Sequence, residues 1–263
     1  MAPAPQKLRR RIYLHVGTHK TGTTSAQAFL GSRREMLAGA GIRYYRGAFS
    51  LDPDNHVDLA RACLDPQKQF FGDWNPNVRR GEATSQKIRE SVRAFLESNS
   101  KDTIIFSSED VSLLRSNDEF VRLAQLLDPI RNEVFVVLVT RDPADFLKSY
   151  AQQIFKVPGR LPSEDPRSAL YVEADTWLTD WDALTAGFER RFGAAEIRRL
   201  DYDAIMAAER DVLPSLLRAL GLPESLIPAP GSVAWRNVSA APPATRSLRR
   251  IGARILRRVL PWP

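Results

Sequence analysis

The chain contains 263 residues, of which 43% are hydrophobic and 26% are charged. This composition supports a packed core and excludes wholesale disorder, and the length suits one α/β domain. Cys63 is the single cysteine, which excludes an intramolecular disulfide and indicates a reducing compartment. The longest apolar run, residues 134–139, is far shorter than a membrane span, so we expect a cytoplasmic protein.

Strand-like and helix-like patterns alternate between a short N-terminal tail, residues 1–10, and residue 224. Short apolar or β-branched runs predict strands at 11–16, 42–47, 103–107, 133–140 and 196–202. Helices are predicted at 24–41, 84–98, 117–130, 143–156, 175–192 and 209–220. This alternation predicts a single α/β domain, residues 11–224, with a central parallel sheet and helices on both faces.

Residues 48–82 interrupt this alternation. The segment is rich in Pro, Asp, Asn and Gly, and we interpret it as a long, partly helical insertion. It carries the aromatic residues Phe70, Phe71 and Trp74. These side chains either stack on the ring of a ligand or form a small core of their own.

The basic character of the chain lies at its C-terminal end. The net charge is +7, and segment 225–263 contains seven arginines and no Asp or Glu, so the preceding residues balance in charge. An amphipathic helix is predicted there, with one apolar face made by Leu248, Ile251, Ile255 and Val259. Three roles remain open: packing on the domain, contact with an anionic membrane surface, or contact with a polyanion. We expect no nucleic-acid partner.

The loop after the first strand, GTHKTGTTS at residues 17–25, has the features of an anion site. A strand, a glycine-containing turn and a helix start bring backbone N–H groups and the positive helix end together. Gly17 and Gly22 are spaced as in a Walker loop, but the lysine is Lys20, inside the loop. We therefore predict a P-loop-like domain that binds phosphate. The alternative is an ordinary turn in which Thr or Ser caps the helix.

Arg141 follows the predicted strand 133–140, and Ser149 lies eight residues further on. Because ligands bind at the carboxyl ends of parallel strands, Arg141 is expected on the ligand side of the sheet. A guanidinium offers a planar fork for an oxyanion. The alternative is a local ion pair with Asp142 or Asp145.

Glu109 and Asp110 follow the strand 103–107 and should reach the same edge of the sheet. A carboxylate in this place can act as a general base. The alternative is that Ser107 or Ser108 caps a short helix, whose N-terminus the two acids then favour.

Together these motifs resemble the sulfotransferases that use 3′-phosphoadenosine 5′-phosphosulfate (PAPS). Their 5′-phosphate loop carries Lys-x-Gly-Thr-Thr, matched by Lys20 to Thr24. Their 3′-phosphate motif is a strand-end arginine with a serine eight residues later, matched by Arg141 and Ser149. Their tyrosine in a Tyr–acid pair resembles Tyr202 in LDYDAIM and would contact the adenine. The form GTHKTGTTS looks most like bacterial members.

The resemblance implies a transferase that moves a sulfuryl group from PAPS to a hydroxyl or amine acceptor, with a carbohydrate as one candidate. The residues expected to bind PAPS are Lys20, Thr21, Gly22, Thr23, Thr24, Ser25, Arg141, Ser149 and Tyr202. The cofactor-binding motif that aryl sulfotransferases carry towards the end of the chain is absent here. Arg236 and Ser239 of WRNVS are candidates to replace it.

The resemblance also implies the catalytic roles. Lys20 is expected to stabilise the charge that grows on the departing phosphosulfate oxygen. Many cytosolic members have a histidine base where this chain has Glu109. Because carbohydrate sulfotransferases often use a glutamate as base, Glu109 is the candidate base here. No metal is expected, because the transferred group carries less charge than a phosphoryl group.

The histidines and two further functions leave alternatives open. His19 and His56 are candidate acceptor contacts; His56 is either the base itself or, as the plainer alternative, a solvated loop residue, whereas His15 is expected in the core. The chain could also be a P-loop kinase or NTPase, with Asp110 or Asp142 holding a metal. The third alternative is a non-catalytic polyanion-binding protein led by the arginine-rich segment.

Overall fold

Five parallel strands form one sheet at the centre of the molecule. The computed structural model describes residues 9–68, 70, 81–100, 102–156 and 161–233. The strands are β1 Arg10–Gly17, β2 Ile42–Tyr44, β3 Thr103–Ser107, β4 Asn132–Thr140 and β5 Ile197–Asp201. Their order across the sheet is β2-β3-β1-β4-β5, and every neighbouring pair is parallel. The carboxyl ends of β1, β3 and β4 therefore meet at the middle of one edge.

Helices connect the strands. Their bounds are α1 Thr23–Ser32, α2 Arg34–Gly39, α3 Val57–Cys63, α4 Glu82–Ser98, α5 Asn117–Leu127, α6 Pro143–Lys156, α7 Trp181–Phe192, α8 Tyr202–Glu209 and α9 Val212–Ala219. Several begin at a side-chain cap. Ser116 and Glu119 form a capping box at α5, and the carboxylates of Asp180 and Asp211 cap α7 and α9.

The two faces of the sheet bury two separate apolar clusters. Along β1, Ile12 and Leu14 face one cluster, which the helices α3 to α7 cover. Tyr13 faces the opposite cluster, which α1, α2 and α9 cover. This is the period-2 alternation of a sheet buried on both sides. The prediction of a single α/β domain with a parallel sheet and helices on both faces is confirmed.

Several element bounds differ from the predictions; the helix predicted at 175–192, for example, starts only at Trp181. The helix predicted at 24–41 is broken at Arg33, whose φ of −115° and ψ of 18° separate α1 from α2. The second strand ends at Tyr44 rather than at residue 47. An additional helix, α8, starts directly after β5, because the Asp201 carboxylate accepts a hydrogen bond from Ala204 N and caps it.

The described part of segment 48–82 is partly helical, as predicted, and packs against the core. Its helix α3 contributes Leu59 and Cys63, both fully buried, to the larger cluster. Phe70 is buried in that cluster as well, so it belongs to the core rather than to a ligand-stacking surface. Phe71 and Trp74 lie outside the described residues.

Several predictions fall on parts of the chain outside the described residues. These are most of the N-terminal tail, the residues Arg236 and Ser239, and the amphipathic helix of segment 225–263. They stay predictions. Among the described residues, no helix combines the length and the apolar character needed to cross a membrane.

Candidate active site

The loop between β1 and α1 is tightly curled and tied to the sheet. Thr18 N donates a hydrogen bond to Val139 O of β4 at 2.9 Å. Thr21 Oγ1 donates to Thr18 O at 2.6 Å, so this hydroxyl closes the loop on itself. Lys20 has φ 70° and Gly22 has φ 82°. A lysine in the left-handed region is uncommon and stores backbone strain, which is a frequent feature of functional loops.

Gly17 and Gly22 have different reasons to be glycine. A Cβ at position 17 would lie 2.6 Å from Thr23 Oγ1 and 3.2 Å from Thr21 Oγ1, so the loop has no space for it. Gly22 is the N-cap of α1 and offers no side-chain cap to the helix. The first N–H groups of α1 and its positive end are therefore available to an anion.

The hydroxyl residues of the loop have unequal surroundings. Thr24 is partly exposed, whereas Thr23 and Ser25 are buried. Within the described residues, Thr23 Oγ1 is buried without a hydrogen-bond partner. An orphaned buried hydroxyl beside an uncapped helix start fits a bound anion, because burial of an unpaired polar atom is costly.

Arg141 joins this loop to the helix that follows β4. Its Nη1 donates to Lys20 O and to Ser149 Oγ, both at 3.4 Å. Trp181 Nε1 donates to Arg141 O at 3.2 Å and fixes the backbone at the strand end. The structure thus brings Lys20, Arg141 and Ser149 together across 121 residues of chain.

Tyr202 and two carboxylates complete the surroundings of Arg141. The guanidinium carbon lies 5.2 Å from the centre of the Tyr202 ring. Arg141 Nη2 lies 3.6 Å from Asp203 Oδ1 and 4.0 Å from Asp145 Oδ2. The alternative of a local ion pair with Asp145 is therefore present, but Asp203 makes the shorter contact. The carboxylate of Asp142 instead caps α6 by accepting from two backbone N–H groups.

Glu109 lies at the end of β3 between two amide side chains. Its Oε2 accepts from Gln27 Nε2 at 2.9 Å, and its Oε1 accepts from Asn55 Nδ2 at 3.1 Å. Part of the side chain remains exposed. Burial, followed by the charge of Asp110, raises the pKa of the Glu109 carboxyl. A partly exposed carboxylate with a raised pKa at a strand end suits proton removal.

His19 bridges the loop and the acidic turn after β3. Its Nε2 lies 3.4 Å from Asp110 Oδ1, and both side chains are largely buried. Its ring packs edge-on against Tyr150, with 4.8 Å between ring centres. His19 precedes Lys20 in the loop and contacts Asp110, the residue that follows Glu109. It therefore stays a candidate acceptor contact.

His56 is not a solvated loop residue, because it is fully buried. Its Nδ1 accepts from Ser107 N at 2.9 Å, and its Nε2 bonds Tyr45 O at 2.8 Å. Both ring nitrogens therefore serve the backbone, and burial lowers the pKa of His56 to about 3. These contacts argue against His56 as a base or an acceptor ligand. His15 is likewise buried, in the core as expected.

The pH dependence of stability tests this structural role. A histidine with a folded pKa of about 3 takes up its proton only on unfolding, so the free energy of unfolding falls as pH drops below about 6.5. The His56→Gln variant should lose about 2 kcal/mol less stability between pH 7 and pH 5 than the parent. Urea unfolding at both pH values measures this. Identical pH dependence of parent and variant would contradict the buried, neutral role of His56.

Sequence reasoning missed Gln27, Asn55 and Asp203. Gln27 left one signal: it is a polar residue on a helix, α1, whose neighbouring positions are buried. Asn55 carried no signal beyond its polarity, whereas Asp203 is the acid next to Tyr202 in LDYDAIM, and its contact with Arg141 was not foreseen. Among the described residues, no group of three or more His, Cys, Asp or Glu side chains could hold a metal ion. Metal-independent chemistry stays a prediction.

The fold and this edge of the sheet define a class: a parallel α/β protein with a curled, glycine-containing loop after its first strand and a strand-end arginine beside it. Residues 14–225 match the model of the Sulfotransferase family. The chain belongs to that family, and the predicted family membership is confirmed.

One solved structure is similar in fold, and a second gives a weaker match. The sulfotransferase from Alicyclobacillus acidocaldarius superposes with a TM-score of 0.52 at 13% identity, covering 95% of this chain and 93% of that chain. The sulfotransferase domain of the olefin synthase from Synechococcus PCC 7002 gives a TM-score of 0.42 at 15% identity, covering 99% and 98%. No curated protein matches the sequence significantly.

Proposed function

We propose that this chain transfers a sulfuryl group from PAPS to a hydroxyl or amine acceptor. The observation that carries the proposal is the contact of Arg141 with both Ser149 and the backbone of Lys20. Because of this contact, two candidate anion sites lie side by side: the loop after β1 and the Arg141–Ser149 pair. A nucleotide with a 5′-phosphosulfate and a 3′-phosphate requires two such adjacent sites. Each candidate site contains one buried polar atom without a hydrogen-bond partner among the described residues, Thr23 Oγ1 in the loop and Arg141 Nε in the pair, which supports the fit of such a nucleotide.

The residues of the loop have distinct roles in this proposal. PAPS, when bound, supplies the sulfuryl group. The first N–H groups of α1 and the hydroxyls of Thr23 and Thr24 bind its 5′-phosphate end. The ammonium group of Lys20 stabilises the negative charge that develops on the leaving oxygen. Thr21 contributes through the loop conformation that its hydroxyl stabilises. Tyr202 offers its ring to the adenine.

Glu109 is the proposed base that removes the acceptor proton. Gln27 comes from α1 and Asn55 from the segment before α3, so the carboxylate is held from both sides. Holding the carboxylate in one orientation limits the loss of rotational freedom on reaction. The side chains of Asn55, His19 and Asp110 give this region polar surroundings, which supports a polar acceptor such as a carbohydrate.

An acceptor-dependent turnover assay tests the proposed function. The protein is incubated with PAPS and a panel of sugars, phenols, aliphatic alcohols and amines, and the release of adenosine 3′,5′-bisphosphate is measured. We expect release to depend on at least one acceptor, with matching sulfation of that acceptor. Acceptor-dependent turnover of ATP instead of PAPS would contradict the proposal and favour a kinase.

Removal of Arg141 should abolish the preference for nucleotides that carry a 3′-phosphate. The Arg141→Ala variant is expected to lose about 2–3 kcal/mol of binding to adenosine 3′,5′-bisphosphate, the scale of charge-assisted contacts. Its affinity for adenosine 5′-monophosphate should change little. Titration calorimetry measures both affinities, with Arg131→Ala, a change at an exposed arginine, as the control. An unchanged preference in folded Arg141→Ala would contradict the assignment.

Gln27 should shift the pH range in which Glu109 works. As a base, Glu109 must be ionised, so kcat should rise with pH through the pKa of its carboxyl. Gln27 donates to the ionised form and lowers this pKa. In Gln27→Met the midpoint of the rise should therefore move to higher pH, and kcat on the alkaline plateau should fall only by the effect of the looser hold on the carboxylate. An unmoved midpoint with a uniformly lower kcat would contradict this role.

A further inference from the structure

The guanidinium of Arg141 forms an ion pair with a carboxylate of the chain itself. Asp203, at the start of α8, lies 3.6 Å from Arg141 Nη2 and is 39% exposed, whereas Arg141 is 14% exposed. The second oxygen of Asp203 accepts from Asp142 N at 2.6 Å. Asp203 is thus tied to the start of α6 and cannot turn away without losing a backbone hydrogen bond.

We propose that Asp203 is a resident carboxylate that competes with the 3′-phosphate of the nucleotide for Arg141 and thereby limits how tightly donor and product are held. The inference rests on the proposed function, because it requires Arg141 to bind the 3′-phosphate. It assigns a specificity-determining role to a residue that would otherwise be only the neighbour of Tyr202.

The competition follows from charge. A phosphate dianion that approaches Arg141 shares the guanidinium with Asp203, and the like charges repel each other at short range. Asp145 is a weaker competitor, since its carboxylate is 59% exposed and lies 4.0 Å from the same nitrogen. Without a nucleotide, Asp203 provides the counter-charge of a largely buried arginine and keeps its fork in place.

The consequence extends from the donor to the product. Adenosine 3′,5′-bisphosphate keeps the 3′-phosphate after the sulfuryl group has left, so Arg141 alone would hold donor and product alike. A carboxylate that takes Arg141 back favours dissociation of the product. Asp203 therefore exchanges some donor affinity for faster turnover, a compromise expected where product release limits kcat.

The test is the charge-neutral variant Asp203→Asn, which keeps an oxygen for Asp142 N and removes the repulsion. We expect it to bind adenosine 3′,5′-bisphosphate on the order of tenfold more tightly than the parent. Binding of adenosine 5′-monophosphate should change by less than about twofold, since this ligand lacks the repelled phosphate. The matched control is Asp182→Asn, which removes an equal charge from an exposed pair with Arg199 and should change neither affinity.

The outcomes separate this inference from the proposed function. If the parent prefers the 3′-phosphate but folded Asp203→Asn binds both nucleotides as the parent does, the inference alone is overturned. If Asp203→Asn binds both nucleotides more weakly, Asp203 is structural, and the inference is overturned too. If the parent does not distinguish the two nucleotides, the assignment of Arg141 fails and both proposals fall.

Discussion

Replacement of Lys20 by alanine is expected to lower kcat by about 10²–10³, the loss typical when one charge-stabilising group is removed from an active site. The side chain starts from a backbone held at φ 70° in a loop tied to β4. The backbone from which the cation projects is therefore fixed before the reaction. Alanine carries a Cβ as lysine does, so both residues bear the same backbone strain, and the carbonyl that Arg141 contacts is retained.

Single-turnover rates with saturating PAPS measure this effect. Lys87→Ala, a change at an exposed lysine of α4, is the matched control and should keep the parental rate. Because Lys20 acts on the departing group, an acceptor of lower pKa should not rescue Lys20→Ala. A folded Lys20→Ala variant with parental kcat would contradict the role.

Replacement of Glu109 by glutamine should lower kcat by about 10²–10⁴, the range of general-base catalysis. Glutamine has nearly the same shape but cannot take up the proton. It also presents an NH₂ group to one of two donors, Gln27 or Asn55, because both donate to Glu109 in the native protein. The variant should therefore lose some orientation as well as basicity.

Acceptors of graded pKa distinguish the two catalytic roles. A more acidic acceptor hydroxyl requires less help to lose its proton, so it should restore much of the rate of Glu109→Gln. The dependence of log kcat on acceptor pKa should be steeper in Glu109→Gln than in the parent. Equal rescue of Glu109→Gln and Lys20→Ala would contradict the division of labour.

The order of elements was predictable from sequence because the three central strands, β1, β3 and β4, contain short apolar runs that end at a glycine or a hydroxyl residue. Arg141 and Glu109 were recognised for this reason: in a parallel sheet the residue after a buried strand must reach the ligand edge. The loop was recognised from the spacing of Gly17 and Gly22. These signals are local, and the family match over residues 14–225 agrees with them.

The contacts that tune the site were not predictable, since they join distant parts of the chain. Gln27 and Glu109 are 82 residues apart, and Asn55 and Glu109 are 54 apart. His56 has the sequence context of a loop, yet its ring is buried because the end of β3 and the end of β2 need hydrogen-bond partners there. Tertiary packing decides such positions, and one sequence carries no local record of it.

The central claim is that the loop after β1 and Arg141 together bind one nucleotide that carries a 3′-phosphate. The most direct measurement is the shift in unfolding temperature caused by adenosine 3′,5′-bisphosphate in the presence of a metal chelator, compared with ATP and magnesium. The account predicts that the bisphosphate raises Tm without metal, more than adenosine 5′-monophosphate does, and that Arg141→Ala removes the difference. Stabilisation by ATP with magnesium and not by the bisphosphate would contradict it in favour of a kinase. Stabilisation by neither nucleotide would contradict it in favour of a polyanion-binding protein.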